Sequence, residues 1–206
     1  MKHDHWLCTR SGIQFDPVSP TAEMIDVQDI AFGLAGKFRF GAQSPARYTV
    51  AQHSRAVAAA VADDPAATLD DQLWGLLHDA AEAYLWDVQR PVKAAQYWEI
   101  DDPERPGKKK QVPFREIEMR IQAAVRSAFR LGPIMPMIFH EDEQQLLRER
   151  RDLFDERQPA WPRCDGRQSA LAPIEKPCWG PDQACQEFLD EFCRIEHDRR
   201  REEGTN

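Results

Sequence analysis

The feature that most limits the fold of this chain is a succession of apolar stripes at helical spacing, each closed by proline, glycine or an acidic turn. No sustained two-residue alternation accompanies them. Val27, Ile30, Ala31, Leu34 and Phe38 predict a helix over 26–38, and an alanine-rich run predicts one over 50–62, stopped by Asp63-Asp64-Pro65. Leu73, Leu76, Leu77, Ala80 and Tyr84 predict a third over 69–85, with Asp70 near its N-terminus. Ile117, Ile121, Ala124, Val125 and Ala128 continue the period over 117–129. Leu146, Leu147, Leu153 and Phe154 do so over 141–154, and Phe188, Leu189, Phe192 and Ile195 over 182–200. The fold expected is therefore all-α, a single compact helical bundle.

Between the stripes the chain is punctuated. Residues 1–28 read as an irregular arm, or short hairpin, packed on a core of 29–154. Residues 101–113 (DDPERPGKKKQVP) hold three prolines, a glycine and three consecutive lysines, and predict an exposed insertion, with a basic flap over an anion as the alternative. Residues 155–206 predict a proline-punctuated excursion followed by the last helix, which either closes the core or forms a dimer interface.

The 206 residues carry 27 lysines and arginines against 35 acids, a formal charge of -8, which disfavours a stable nucleic-acid partner. The stretch 31–60 nevertheless contains Lys37, Arg39, Arg47 and Arg55 and no acid, so a local cationic wall facing a small anion is one reading. Five cysteines form no dense framework, and no segment has the length and apolarity of a leader or a membrane span; both point to the cytoplasm. Cys178, Cys185, Cys193 and His197 lack the paired short spacings of zinc fingers and read as thiols of the core or surface.

The chemistry resides in imidazoles and carboxylates placed among leucines. His78 and Glu82 are four apart and Asp79 and Glu82 three apart, so on a helix they converge beside Leu73, Leu76 and Leu77. Asp142, Leu146, Glu149 and Leu153 follow at i, i+4, i+7 and i+11, which puts Asp142 on a buried side. Acids and imidazole pressed toward a core are costly unless a cation or dense hydrogen bonding compensates, which favours a metal site. Two histidines with two aspartates give a mixed nitrogen and oxygen shell, suited to Mn, Fe, Co, Ni or Zn.

His53, HDAAEAYLWDVQRPVK at 78–93 and Asp142 in HEDEQQLLRERRDLF at 140–154 resemble the HD-domain metal-dependent phosphohydrolases. The likeness is strongest to the bacterial and phage branch similar to 5'-deoxynucleotidases. The arm SGIQFDP at 11–17 and DIAFGLAGKFRFGAQSPARYTVAQHS at 29–54 resemble the same branch. The resemblance implies a helical HD-domain core in which His53, His78, Asp79 and Asp142 hold one divalent transition metal ion, with an additional Mg arriving with substrate. It implies that Glu82 and Asp87 are catalytic, that Arg39 and Lys93 are candidates for contact with the substrate phosphate, and that Trp86 lines the pocket. Trp86 stands where relatives often have glycine, and Ala42 follows Gly41 where a second glycine or a histidine is usual.

The activity implied is hydrolysis of a deoxynucleoside 5'-monophosphate to nucleoside and phosphate, in a protein whose expected oligomer is a dimer. One alternative cuts a deoxynucleoside triphosphate at the same site, with Lys108, Lys109 and Lys110 on the longer anion. Another, of a different class, is a non-catalytic nucleotide-binding or sensor protein, against which the complete donor set argues.

Overall fold

Local chemistry starts the first three long helices. The Asp26 carboxylate accepts from the amides of Gln28 and Asp29 and opens α1 (Val27–Ala35). Thr49 accepts from the Gln52 amide and opens α2 (Val50–Ala62), and Thr68 with Asp71 forms a reciprocal capping box at the start of α3 (Leu69–Leu77). Such caps contribute about 1 kcal/mol each by satisfying amides that a helix start leaves without partners.

In a computed structural model, which describes residues 6–155, 159, 161, 164 and 166–204, four more helices follow: α4 (Arg90–Lys93), α5 (Phe114–Ala128), α6 (Pro136–Leu153) and α7 (Pro181–Glu203). Two small antiparallel hairpins, β1 (Leu7–Cys8) with β2 (Gln14–Phe15) and β3 (Tyr97–Asp101) with β4 (Lys109–Pro113), complete a compact, mostly α-helical fold.

Helix α2 lies at the centre and packs on α1, α3, α6 and α7. Its Ala51, Val57, Ala58 and Val61 are fully buried, and at Gly75 of α3 a Cβ would stand 3.0 Å from Ala58 Cα, so glycine is what lets α3 approach. Gly33 of α1 does the same at the turn Ala80–Ala83, where a Cβ would stand 2.8 Å from the Ala83 carbonyl oxygen. Helix α7 closes this core, burying Ala184, Phe188 and Ile195, and it packs on α1, α2 and α3. From the N-terminal arm, Phe15 stacks on Tyr84 with ring centroids 4.0 Å apart.

Several expectations are corrected. The helix expected over 69–85 ends at Leu77 and gives way to the 3-10 turn Ala80–Ala83; the apolar stripe hides this break because Ala80, Ala81 and Tyr84 are buried in the turn as they would be in a helix. The insertion expected at 101–113 is the second strand and turn of a hairpin in register from Tyr97↔Pro113 to Asp101↔Lys109. Ile100 and Val112 anchor it from the buried side and Lys109 Nζ pairs with Asp101 at 2.6 Å; the prolines and lysines of this segment mask its short alternation. Helix α6 begins at Pro136, which puts Asp142 in its second turn rather than at its N-terminus.

The cationic wall also dissolves: Arg47 lies over the Phe38 ring, Arg55 pairs with Glu191 at 3.3 Å and Lys37 donates to the Ala83 carbonyl oxygen, leaving Arg39 beside Asp79 and Glu149. Among the described residues no helix is long and apolar enough to cross a membrane. Residues 1–5 of the arm, and 156–158, 160, 162, 163 and 165 of the proline-punctuated excursion, lie outside the described residues.

Candidate metal centre

Three separate elements carry the donor groups to one point. His53 comes from the middle of α2, His78 and Asp79 from the break after α3, and Asp142 from α6. His53 Nε2 and His78 Nε2 are 3.3 Å apart. Asp79 Oδ2 lies 3.3 Å from His78 Nε2 and 3.7 Å from His53 Nε2, and Asp142 Oδ1 lies 3.2 Å from His53 Nε2 and 3.9 Å from His78 Nε2. Ligand atoms sharing one ion at about 2.0–2.2 Å stand roughly 3.0–3.5 Å apart when they occupy neighbouring positions, so these spacings suit a common ion. Among the described residues, His53, His78 and Asp79 form a cluster able to hold an ion, with one ligand atom from each lying within 4.8 Å of the others; Asp142 adjoins it from α6.

The other ring nitrogens show how the imidazoles are aimed. His53 Nδ1 lies 2.6 Å from Glu149 Oε1, and His78 Nδ1 lies 2.8 Å from the Gly75 carbonyl oxygen. A carboxylate and a carbonyl accept, so each Nδ1 donates and each Nε2 turns its lone pair toward the shared point. Two lone pairs and two carboxylates converging in a buried place need positive charge between them. The donor set therefore fits a divalent ion.

Without an ion, protons take that role. Burial and then Arg39 oppose the imidazolium of His53, but Glu149 and Asp142 outweigh them and raise its pKa to about 9. Burial likewise opposes the His78 imidazolium, and Asp79 overcomes it and raises the pKa. Asp79 is held far below the carboxylate range: burial works against this, and His78, His53 and Arg39 prevail. Asp142 falls to about 2 against the same burial cost, through His53 and His78.

A histidine raised from its ordinary 6.5 to about 9 stabilises the fold fully below 6.5 and ceases to do so as pH rises through 9. Ion-free protein is therefore expected to lose melting temperature between pH 6.5 and 9, and saturating Mn(II) to flatten that loss. Melts with and without chelator check this; an ion-free melting temperature that climbs across the window would contradict it.

Arg39 is buried, with Nε 3.0 Å from Glu149 Oε2 and Nη1 3.5 Å from Asp79 Oδ2. It opens a tight turn in which Phe40, Gly41 and Ala42 all have φ near +60°, a left-handed run unusual for the two non-glycine residues. The Phe40 peptide is clamped on both sides: its N–H donates to Asp87 Oδ2 at 2.9 Å and its carbonyl accepts from Gln89 Nε2 at 2.6 Å. Asp87 thereby positions the Arg39 turn. Its own pKa is raised by burial and Asp79 against the pull of Arg39.

Glu82 follows Asp79 on the 3-10 turn, its amide bonded to the Asp79 carbonyl at 2.9 Å. It is buried, Oε2 has no hydrogen-bond partner among the described residues, and Oε1 lies 3.7 Å from Lys93 Nζ. Burial, with Asp79 and Asp87, holds its pKa well above the ordinary carboxylate value. Lys93, a candidate phosphate contact, is placed instead between Glu118 at 2.5 Å and Glu82.

Trp86 is 67 % exposed, its ring 5.5 Å from Lys37 Nζ, so it stands at the surface rather than inside a closed pocket. Its φ of 131° lies in territory that suits glycine. Trp86→Gly should relieve strain worth about 1–3 kcal/mol, offset in part by the entropy of glycine and the lost lysine contact. The expected net gain is about 1 kcal/mol, read as a rise of roughly 2–4 °C in melting temperature; a fall would show that the indole is held by packing worth more than the strain.

Sequence reasoning singled out His53, His78, Asp79, Asp142, Arg39, Glu82 and Asp87, and the structure brings their polar atoms into one connected region. It missed Glu149, named only as a position in the α6 stripe. It also missed Arg90, whose Nη2 lies 3.9 Å from Asp142 Oδ2 at 59 % side-chain exposure.

No model of a known protein family matches the chain. The chain is 35% identical over 137 residues to an uncharacterized protein of Rhodobacter capsulatus, a match covering 64% of this chain and 61% of that protein. It is 29% identical over 159 residues to the uncharacterized protein YfdR of Escherichia coli, covering 77% of this chain and 78% of that one. The chain thus spans about three fifths of the length of the Rhodobacter relative.

Proposed function

We propose that the protein is a metal-dependent phosphohydrolase of the HD-domain kind that cleaves the phosphate ester of a small nucleotide, most simply a deoxynucleoside 5'-monophosphate. The observation that carries this reading is the convergence of His53, His78, Asp79 and Asp142 next to the buried guanidinium of Arg39 and the buried carboxyl group of Glu82, one oxygen of which has no hydrogen-bond partner among the described residues. When bound, a divalent transition metal at those four groups acidifies water from about 15.7 toward 7 and polarises a phosphoryl oxygen.

The chain's own residues supply the rest. Arg39 commits Nε to Glu149 and Nη1 to Asp79, and among the described residues its Nη2 makes no hydrogen bond, which leaves it for a phosphate oxygen. Glu82 accepts the proton of the attacking water. As the water oxygen bonds to phosphorus the ester P–O bond breaks, and the leaving sugar oxygen takes a proton from Asp87, which burial and Asp79 keep protonated to higher pH than usual. Lys93, pinned by Glu118, tunes Glu82 rather than reaching for phosphate. A small anion, not a nucleic-acid strand, suits the overall charge of -8.

A panel of deoxy- and ribonucleotides from mono- to triphosphate, assayed for released phosphate with Mn, Co, Mg and Zn, tests this. Inorganic phosphate from deoxynucleoside monophosphates is the expected product. Free triphosphate from deoxynucleoside triphosphates with no turnover of monophosphates would move the reading to a triphosphohydrolase. Metal retention with no ester hydrolysed under any ion would favour a nucleotide sensor.

A further inference from the structure

Glu149 has no exposed surface, and its two carboxylate oxygens divide their work. Oε1 accepts from His53 Nδ1 at 2.6 Å and Oε2 accepts from Arg39 Nε at 3.0 Å. The residue stands two turns after Asp142 on α6, so a single helix contributes both a candidate ligand and the carboxylate behind another ligand. An imidazole bonded at Nδ1 is fixed in ring plane and tautomer, and a guanidinium bonded at Nε keeps its remaining N–H groups pointed one way.

Resting on the phosphohydrolase reading above, we propose that Glu149 is a positioning residue that locks the metal ligand His53 and the phosphate-binding Arg39 in one fixed relation. The ion and the anion-binding group are then oriented by the same carboxylate. A simple buried ion pair would need the bond to Arg39 alone; here the second oxygen is spent on the ligand ring instead.

Glu149→Gln separates these cases, because the amide keeps the shape but offers one acceptor to two donors. Whichever donor the glutamine carbonyl takes, the other faces an NH2 group. Circular dichroism confirms folding, calorimetry measures Co(II) binding to ion-free protein, and a second titration measures inorganic phosphate binding to the cobalt-loaded protein. The expected result is a loss of roughly 10- to 100-fold in at least one of the two constants. Both constants within about twofold of wild type would overturn the proposal.

If the variant does not fold, histidine nitrogen NMR of the wild-type zinc-loaded protein decides instead. Hydrogen on His53 Nδ1 with Nε2 on the metal is expected, and the reverse tautomer would overturn it. These binding readouts also keep the two proposals apart. Cobalt and phosphate binding that weakens in Glu149→Gln, in a protein that hydrolyses no nucleotide, removes the phosphohydrolase and leaves the positioning role. Hydrolysis with an unaltered Glu149→Gln does the opposite.

Discussion

Alanine at His78 or Asp79 is expected to yield folded protein that retains no divalent ion and hydrolyses no phosphate ester above background. Each residue is one of four donors, and they are adjacent in sequence at the break between α3 and the turn Ala80–Ala83. The His78 imidazole is 7% exposed and its Nε2 sits 3.3 Å from both His53 Nε2 and Asp79 Oδ2, so its removal opens the middle of the donor set. Losing a supporting partner behind a ligand typically costs 10- to 100-fold in metal affinity, and losing the ligand itself costs more. Metal content after dialysis, measured beside phosphate release, checks both parts. Near-normal hydrolysis by metal-free Asp79→Ala would show the assignment to be wrong.

The second large effect belongs to Glu82. Glu82→Ala or Glu82→Gln should bind the ion as wild type does and lose roughly 10²- to 10⁴-fold in kcat, the usual worth of a positioned general base. Glu82 lies one 3-10 turn beyond Asp79, is buried, and has no contact with His53, His78 or Asp142 within hydrogen-bonding or ion-pairing reach among the described residues. Its raised pKa, caused first by burial and then by Asp79 and Asp87, gives the sign of the pH dependence: activity climbs as pH rises and Glu82 ionises. The variants should flatten that limb of the kcat profile. Loss of metal together with activity would reassign Glu82 to holding the donor set together.

Much of this candidate site is legible in the sequence. His53 sits inside an alanine-rich stripe whose limits, 50–62, coincide with α2, and Asp142 falls on the core side of α6 as its spacing from Leu153 predicts. What the stripes could not show was backbone that leaves the helical path without leaving the core. His78, Asp79 and Glu82 converge through a helix end and a 3-10 turn, not along one helix face, because alanines and a tyrosine bury equally well in either.

The hairpin of β3 and β4 was hidden for the converse reason: few of its residues are apolar, and cross-strand pairing with Ile100 and Val112 inward does the work that a long alternation does elsewhere. Trp86 and Ala42, noted as departures at positions where glycine is usual, both prove to have positive φ. Glu149 escaped notice since a carboxylate in a leucine stripe reads as an interruption. The usable signal was its place two turns after Asp142, where only a charged or donor-rich neighbour makes such burial tolerable.

The account stands on four side chains sharing one ion, and X-ray absorption spectroscopy of protein loaded with a single equivalent of Co(II) tests that most directly. The predicted spectrum has two imidazole nitrogens and a remainder of oxygen ligands, and this signal is lost from protein carrying His53→Ala or His78→Ala. A cobalt environment with no imidazole, or one unchanged by either substitution, would contradict it.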